Sequence, residues 1–177
     1  SDGDGVRDRE IDGKATPFEF SVVYAQGSTN AEKVCNLFRE NLDQIGIICH
    51  PRPLEWTVLQ EMTRTHKFHA YMGGWGTGTD PYTLENIFQT GADRNFGEYS
   101  NRKVDDLFKQ GMKEFDQAKR AEIYRQIYME LYKDQPYTWL FHRASFMGFN
   151  KGLRGYVFSA RGPYHYSPGF ESIWMAK

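Results

Sequence analysis

The chain has 177 residues, enough for one domain with its own core or two small ones sharing a core. Its 22 Lys and Arg against 23 Asp and Glu leave a net charge of −1, which excludes the basic footprint of a nucleic-acid binder. No apolar run reaches membrane-spanning length, and among otherwise ordinary fractions only the aromatic content, 16%, is high.

The opening "SDGDGVRD" reads as the middle of a loop, and the chain is expected to be a piece of a longer protein. In "PFEFSVVYA" (17–25), Phe18, Phe20, Val22 and Tyr24 alternate, which predicts a strand with one buried face. Ser28 or Thr29 then caps a helix carrying Ala31, Val34, Cys35, Phe38, Leu42 and Ile45 at helical spacing, with Gly46 just past its end. "IICHPRP" predicts a short strand that its two prolines terminate, "LEWTVLQEMTRTHK" a second helix, and "FHAYMGGWG" a third strand running into a glycine loop. This β-α-β-α-β order is the pattern of an α/β layer with parallel strands, with Val34, Phe38 and Leu42 expected to be buried against strands containing Phe20, Val22 and Ile47.

Beyond residue 79 the pattern turns helical. Asp80 is a fitting N-cap and Pro81 suits the first helical position of "YTLENIFQT". Ser100 is read as the cap of a helix with Val104, Leu107, Phe108, Met112 and Phe115 on one face. "DQAKRAEIYRQIYMELYKD" predicts a further helix with Tyr124, Ile127, Tyr128, Leu131 and Tyr132 inward, stopped by Pro136. Both helices are expected to pack on the same core as the α/β layer. "PYTWLFHRASFMGFN" is strand-like, and the Gly- and aromatic-rich tail reads as irregular connection ending in a short strand.

The residues offer little chemistry. No Ser sits on a Gly-x-Ser-x-Gly elbow, and His66 and His69 lie where helix passes to strand, without an evident third metal ligand. Neither glycine order of a phosphate cradle is present. Asp2, Asp4 and Asp8 with Gly5 have the stagger of a calcium loop, Val6 supplying its carbonyl, but the twelfth position is Ile11; an Asx-turn connector is the preferred reading. Cys35 and Cys49 fall on a helix and the following strand, where a bridge is sterically conceivable and a pair of plain buried thiols is preferred. Trp75, Tyr82, Phe96, Tyr99, Tyr156, Tyr164 and Tyr166 fall in or near Gly-rich or irregular stretches, and as a group suggest a binding surface.

Five blocks in order give the chain a family likeness: "DGDGVRDREIDGK" with "PFEFSVVY", "LDQIGIICHPRPLEW", "GGWGTGTDPYTLENIF", "GEYSNRKVDDLF" and "DQAKRAEIYRQIYMELYKDQPYTWLFHR". Over nearly its whole length it resembles the family 5 extracellular solute-binding proteins of ABC importers. The resemblance implies the second lobe of a type II periplasmic-binding-protein fold, with residues 1–167 as that lobe and 168–177 returning to the first. It implies a ligand cleft lined by Trp75, Gly76, Thr77, Gly78, Asp80, Tyr82, Asn95 and Tyr99. Where peptide-binding members carry an Asp two or three residues after the tryptophan, this chain has Thr77 and Gly78. The ligand is therefore expected to be a differently held peptide, a sugar or another solute. Implied too are a periplasmic or extracytoplasmic setting, permease subunits as partners, and a membrane reached only through them or through a lipid anchor. Neither catalysis nor a cofactor is expected; the rival readings are a hydrolase using His66 or His142, and a module stabilised by calcium at Asp2, Asp4 and Asp8.

Overall fold

The computed structural model describes residues 3–76, 78, 80–142, 144, 146, 148–156 and 169–176. Its contacts divide the chain into two compact units: Ser1–Gly76 with Gly91–Glu98, and Thr77–Thr90 with Tyr99–Lys177.

The first unit opens with a hairpin, β1 (Asp8–Ile11) against β2 (Lys14–Pro17). It is followed by β3 (Glu19–Ala25), α1 (Thr29–Asp43), β4 (Ile48–Leu54), α2 (Trp56–Arg64) and β5 (Ala70–Tyr71). The three later strands form one parallel sheet in the order β4-β3-β5. The expected βαβαβ layer is present, but the buried residues of α1 are Ala31 and Cys35, with Val34, Phe38 and Leu42 only partly buried. Ser28 caps α1 through its hydroxyl to the Ala31 N–H, and Gly46, with a φ of +75°, turns the chain out of it.

Two details differ from expectation for physical reasons. The prolines do not end β4, which runs through Pro51 and Pro53 to Leu54. The Ile48 N–H bonds the Phe18 carbonyl, so even-numbered amides of β4 face β3 and odd-numbered ones face outward. Pro51 and Pro53 are both odd and sit on an edge strand, where a missing N–H breaks no ladder bond.

The one-sided strand is also revised. Phe18 is 55% exposed, whereas Val23, on the face opposite Val22 and Tyr24, is fully buried. As the central strand of a parallel sheet, β3 takes both α1 and α2 as packing partners, and alternation loses its meaning there. Tyr24, Ala31 and Cys35 form the α1-side cluster, with Val22 and Met72 against it. Cys35 and Cys49 are free and buried. Burial, and then the neighbouring Cys49, push the Cys35 thiol up to about 11, so it is inert at neutral pH.

In the second unit a 3₁₀ turn (Pro81–Leu84) leads into α3 (Glu85–Phe88), then α4 (Arg102–Lys113) and α5 (Gln117–Asp134). These last two helices pack on each other within the second unit, to which both belong. Val104, Leu107, Phe108 and Gly111 form the buried stripe of α4, and Tyr124, Ile127 and Leu131 that of α5. Met112 is exposed and Phe115, beyond the helix end, is 95% exposed. Gly111 completes the stripe one turn earlier than the aromatic pattern suggested. Tyr128 and Tyr132 are likewise outside, lining an apolar groove of about 270 Å³ with Leu84, Phe88, Leu131 and Trp139. Asn101, not Ser100, caps α4, because its side chain reaches the Lys103 and Val104 amides. Gln135 adopts a left-handed conformation immediately before Pro136 and ends α5.

The stretch from Pro136 to Asn150 forms no strand among its described residues, although its composition is strand-like. Further on, β6 (Leu153–Arg154) pairs antiparallel with β7 (Trp174–Met175), the short terminal strand expected of the tail.

Candidate functional site

The glycine loop leaves the first unit from the carboxyl end of β5. The ladder continues one residue further, with the Met72 N–H bonding the Val23 carbonyl at 2.9 Å, and then opens into Gly73, Gly74, Trp75 and Gly76. Open α/β sheets place ligands at such strand ends.

The indole of Trp75 is half-buried and belongs to an aromatic series within the first unit. Phe68 meets Tyr71 edge-on, Tyr71 meets Phe96, and Phe96 lies 5.4 Å from Trp75 between ring centroids. The Arg94 guanidinium stands over the indole at 5.8 Å. The segment that brings Arg94 and Phe96 there is a succession of tight turns, closed by Asn95 N–H to Ala92 O and Glu98 N–H to Asn95 O. Asn95 is buried, and the His66 ring is within 3.0 Å of the Phe96 carbonyl through Nδ1. Glu98 holds a positive φ of 51° within these turns, which non-glycine residues rarely adopt, whereas the positive φ of His66, 53°, ends α2.

The second unit holds the far end of the loop. Gly78 N–H bonds the Thr83 hydroxyl at 3.2 Å, and that hydroxyl donates to the Asp80 carbonyl at 2.9 Å. A Cβ on Gly78 would stand 2.8 Å from the Thr83 methyl, so the approach requires glycine. The Asp80 carboxylate accepts from the Tyr82 N–H at 2.8 Å, the expected cap, and from Arg120 at 2.7 Å. Arg120 also donates through Nε to the Gly111 carbonyl and lies 4.9 Å over the Tyr124 ring. The Arg120 hydrogen bond, followed by the Tyr82 amide, holds the Asp80 carboxyl below the usual carboxylate range.

The sign of this coupling gives a testable expectation. A carboxyl depressed in the folded state adds stability above its unfolded value, about 3.9, and that contribution is lost as pH falls through the folded value. Asp80 is 54% exposed, so solvent screening limits the pair to about 0.2–1 kcal/mol. Arg120→Met, which also loses the Gly111 bond and the ring contact, should cost roughly 1–2 kcal/mol in denaturant unfolding at pH 7. Its coupling with Asp80→Asn in a double-mutant cycle should disappear in acid. A coupling unchanged at low pH would contradict the assignment.

Of the residues expected to line the site, Trp75, Gly76 and Asn95 fall in the first unit, and Gly78, Asp80, Tyr82 and Tyr99 in the second. Thr77 lies outside the described residues, as do Tyr164 and Tyr166. Gly76 is exposed, with open space where a side chain would stand. Tyr99 donates its hydroxyl to Asp134 at 2.6 Å, and Asn101 reaches the same carboxylate at 2.7 Å. Burial and the Asp134 bond push the Tyr99 phenol well up, while the Tyr99 and Asn101 bonds hold Asp134 down. Tyr156 stacks on Phe149 at 4.8 Å. Arg94 and Arg120 were not singled out by sequence reasoning; only the Arg120–Tyr124 spacing of one helical turn could have signalled the second.

Asp4 Oδ1 accepts from the Val6 N–H at 2.8 Å, the geometry of an Asx turn, and Asp8 opens β1; Asp2 lies outside the described residues. Among the described residues no three His, Cys, Asp or Glu gather as a metal-ligand group. Ser21 offers its backbone N–H to His69 Nδ1 at 3.2 Å. No described helix is long and apolar enough to cross a membrane.

The chain is similar to known proteins in sequence and fold. The oligopeptide-binding protein AppA of Bacillus subtilis (strain 168) is 30% identical over 181 residues, covering 100% of this chain and 32% of the relative. The structure of AppA from Bacillus subtilis in complex with a nonapeptide superposes on the whole chain with a TM-score of 0.81 at 31% identity, covering 34% of that protein. The oligopeptide binding protein from Thermus thermophilus, complexed with a pentapeptide, shares the fold at 23% identity with a TM-score of 0.74, covering 91% of this chain and 30% of that one. The chain thus spans about a third of the length of the relatives it matches. The architecture is that of the type II periplasmic binding proteins. Residues 1–96 match the family described as bacterial extracellular solute-binding proteins, family 5 Middle, and the chain belongs to that family.

Proposed function

We propose that this chain is the second-lobe portion of the solute receptor of an ABC importer, which captures a peptide or similar small solute between two lobes. The observation that carries the reading is the loop at the end of β5. A half-buried indole emerges there from four glycines and is buttressed by Phe96, on turns held in strained backbone. Such a loop combines close backbone approach with a rigid apolar surface, which is what a guest held by van der Waals contact needs. The exposed Trp174 and Met175 of β7 fit a segment, 168–177, that returns to the first lobe. The receptor's partners are then the permease subunits, its setting extracytoplasmic, and its action binding without chemistry.

The test is a thermal-shift panel on the full-length protein, with peptides of two to nine residues, oligosaccharides and nickel chelates. A ligand that binds only the folded state raises the melting temperature by mass action. Peptides are expected to do so. A shift from none of these solutes would remove the receptor reading.

A further inference from the structure

We propose that Arg94, standing over Trp75, reads a carboxylate of the bound solute while the apolar group next to that carboxylate packs on the Trp75–Phe96 pair. The proposal rests on the solute-receptor reading and specifies which ligand chemistry the first unit selects.

A cation over an indole within about 6 Å is attracted through the ring face. The N–H donors of arginine lie in the guanidinium plane, so packing against a ring leaves that planar fork able to take both oxygens of a carboxylate. In this structure the fork is not spent: among the described residues Arg94 forms no ion pair and no hydrogen bond, while its guanidinium stands over the indole. Neither neighbouring carboxylate, Asp93 or Glu98, engages it. Arg120 shows the contrast within the same chain. It too lies over a ring, but its donors go to Asp80, Gly111 and Tyr124.

The mounting of Arg94 points the same way. Its turn contains buried Asn95 and a positive φ at Glu98, and the His66 ring meets the Phe96 carbonyl. Strain of that kind persists where the surroundings over-determine a geometry, as binding sites do. Phe96, two residues on, presents its ring to Trp75, so one short turn supplies a charged donor and an apolar wall together. A charge-assisted, two-pronged bond to a carboxylate is the strongest contact that turn can offer a solute.

A peptide supplies carboxylate from two sources, its C-terminus and Asp or Glu side chains, and the experiment separates them. The full-length protein is titrated with three nonapeptide mixtures: free C-terminus with acidic residues, free C-terminus without them, and C-terminal amide without them. Wild type is expected to bind the amide mixture at least about tenfold more weakly than one of the free-acid mixtures. Arg94→Gln should remove that preference, so that the free-acid and amide mixtures bind alike. Arg94→Lys, which keeps the charge but loses the fork, should restore only part of it. Arg94 is exposed, so its variants should keep the wild-type melting temperature, which is measured alongside. If wild type binds all three mixtures alike, or if Arg94→Gln leaves the preference intact, the proposal is overturned and the receptor reading stands. Failure to bind any of the three at millimolar concentration would overturn the peptide-receptor reading, and this proposal with it.

Discussion

Expressed alone, residues 1–177 should fold yet bind peptide on the order of a thousandfold more weakly than the full-length protein, a loss of about 4 kcal/mol. In a two-lobed receptor the guest is enclosed by hinge closure, and each lobe supplies part of the contact. Without the other lobe, the Trp75–Phe96 surface remains open to water, and both burial and polar contacts to the guest are lost. The βαβαβ sheet and the α4–α5 pair each have buried apolar residues of their own, so loss of affinity need not mean loss of fold. Calorimetry on the two proteins with one peptide mixture, alongside far-ultraviolet dichroism of the shorter one, reads both quantities. Equal affinity would show that the chain carries a complete site by itself.

The second large effect is expected at Trp75. In the full-length protein Trp75→Ala should weaken peptide binding by roughly 1–3 kcal/mol, through lost aromatic contact with the guest. The melting temperature should move little, because the indole is only half-buried and its ring contacts include the exposed Arg94 beside Phe96. A fully packed core indole would behave differently, costing about 3–5 kcal/mol of stability on truncation. Affinity and melting temperature measured on the same variant separate the two. A large fall in melting temperature with affinity unaltered would make Trp75 a core residue.

Local signals carried much of this architecture. Ser28 and Asp80 are caps in the structure because their side chains reach amides two or three residues on, a contact decided within one turn of chain. The order of the first three parallel strands and two helices was legible for the same reason. What depended on neighbours in space was not. Pro51 and Pro53 look like strand terminators until β4 is known to be an edge strand with both facing outward. Met112, Phe115, Tyr128 and Tyr132 fit an apolar stripe by spacing, but the α4–α5 contact is made by the faces bearing Gly111 and Ile127. Val23 gives no sign in a one-sided alternation that both faces of β3 are covered.

The candidate site divides along the same line. The Gly-Trp loop and its Asp-Pro cap are contiguous and could be singled out as a unit. Arg94 lies 19 positions after Trp75, and Arg120 lies 40 after Asp80, so each partnership exists only in the folded chain. Long cations in polar stretches look like solvated surface whichever ring or carboxylate they finally meet.

Photo-crosslinking tests the central claim, that the loop after β5 faces the solute, most directly. The full-length protein is incubated with a nonapeptide mixture carrying a photoreactive group at each position in turn, irradiated, digested and mapped by mass spectrometry. Adducts are predicted within residues 75–82 and 91–99, and competition by unlabelled peptide should abolish them. Competable adducts that fall entirely outside residues 1–177, or only on the α4–α5 helices, would contradict the account.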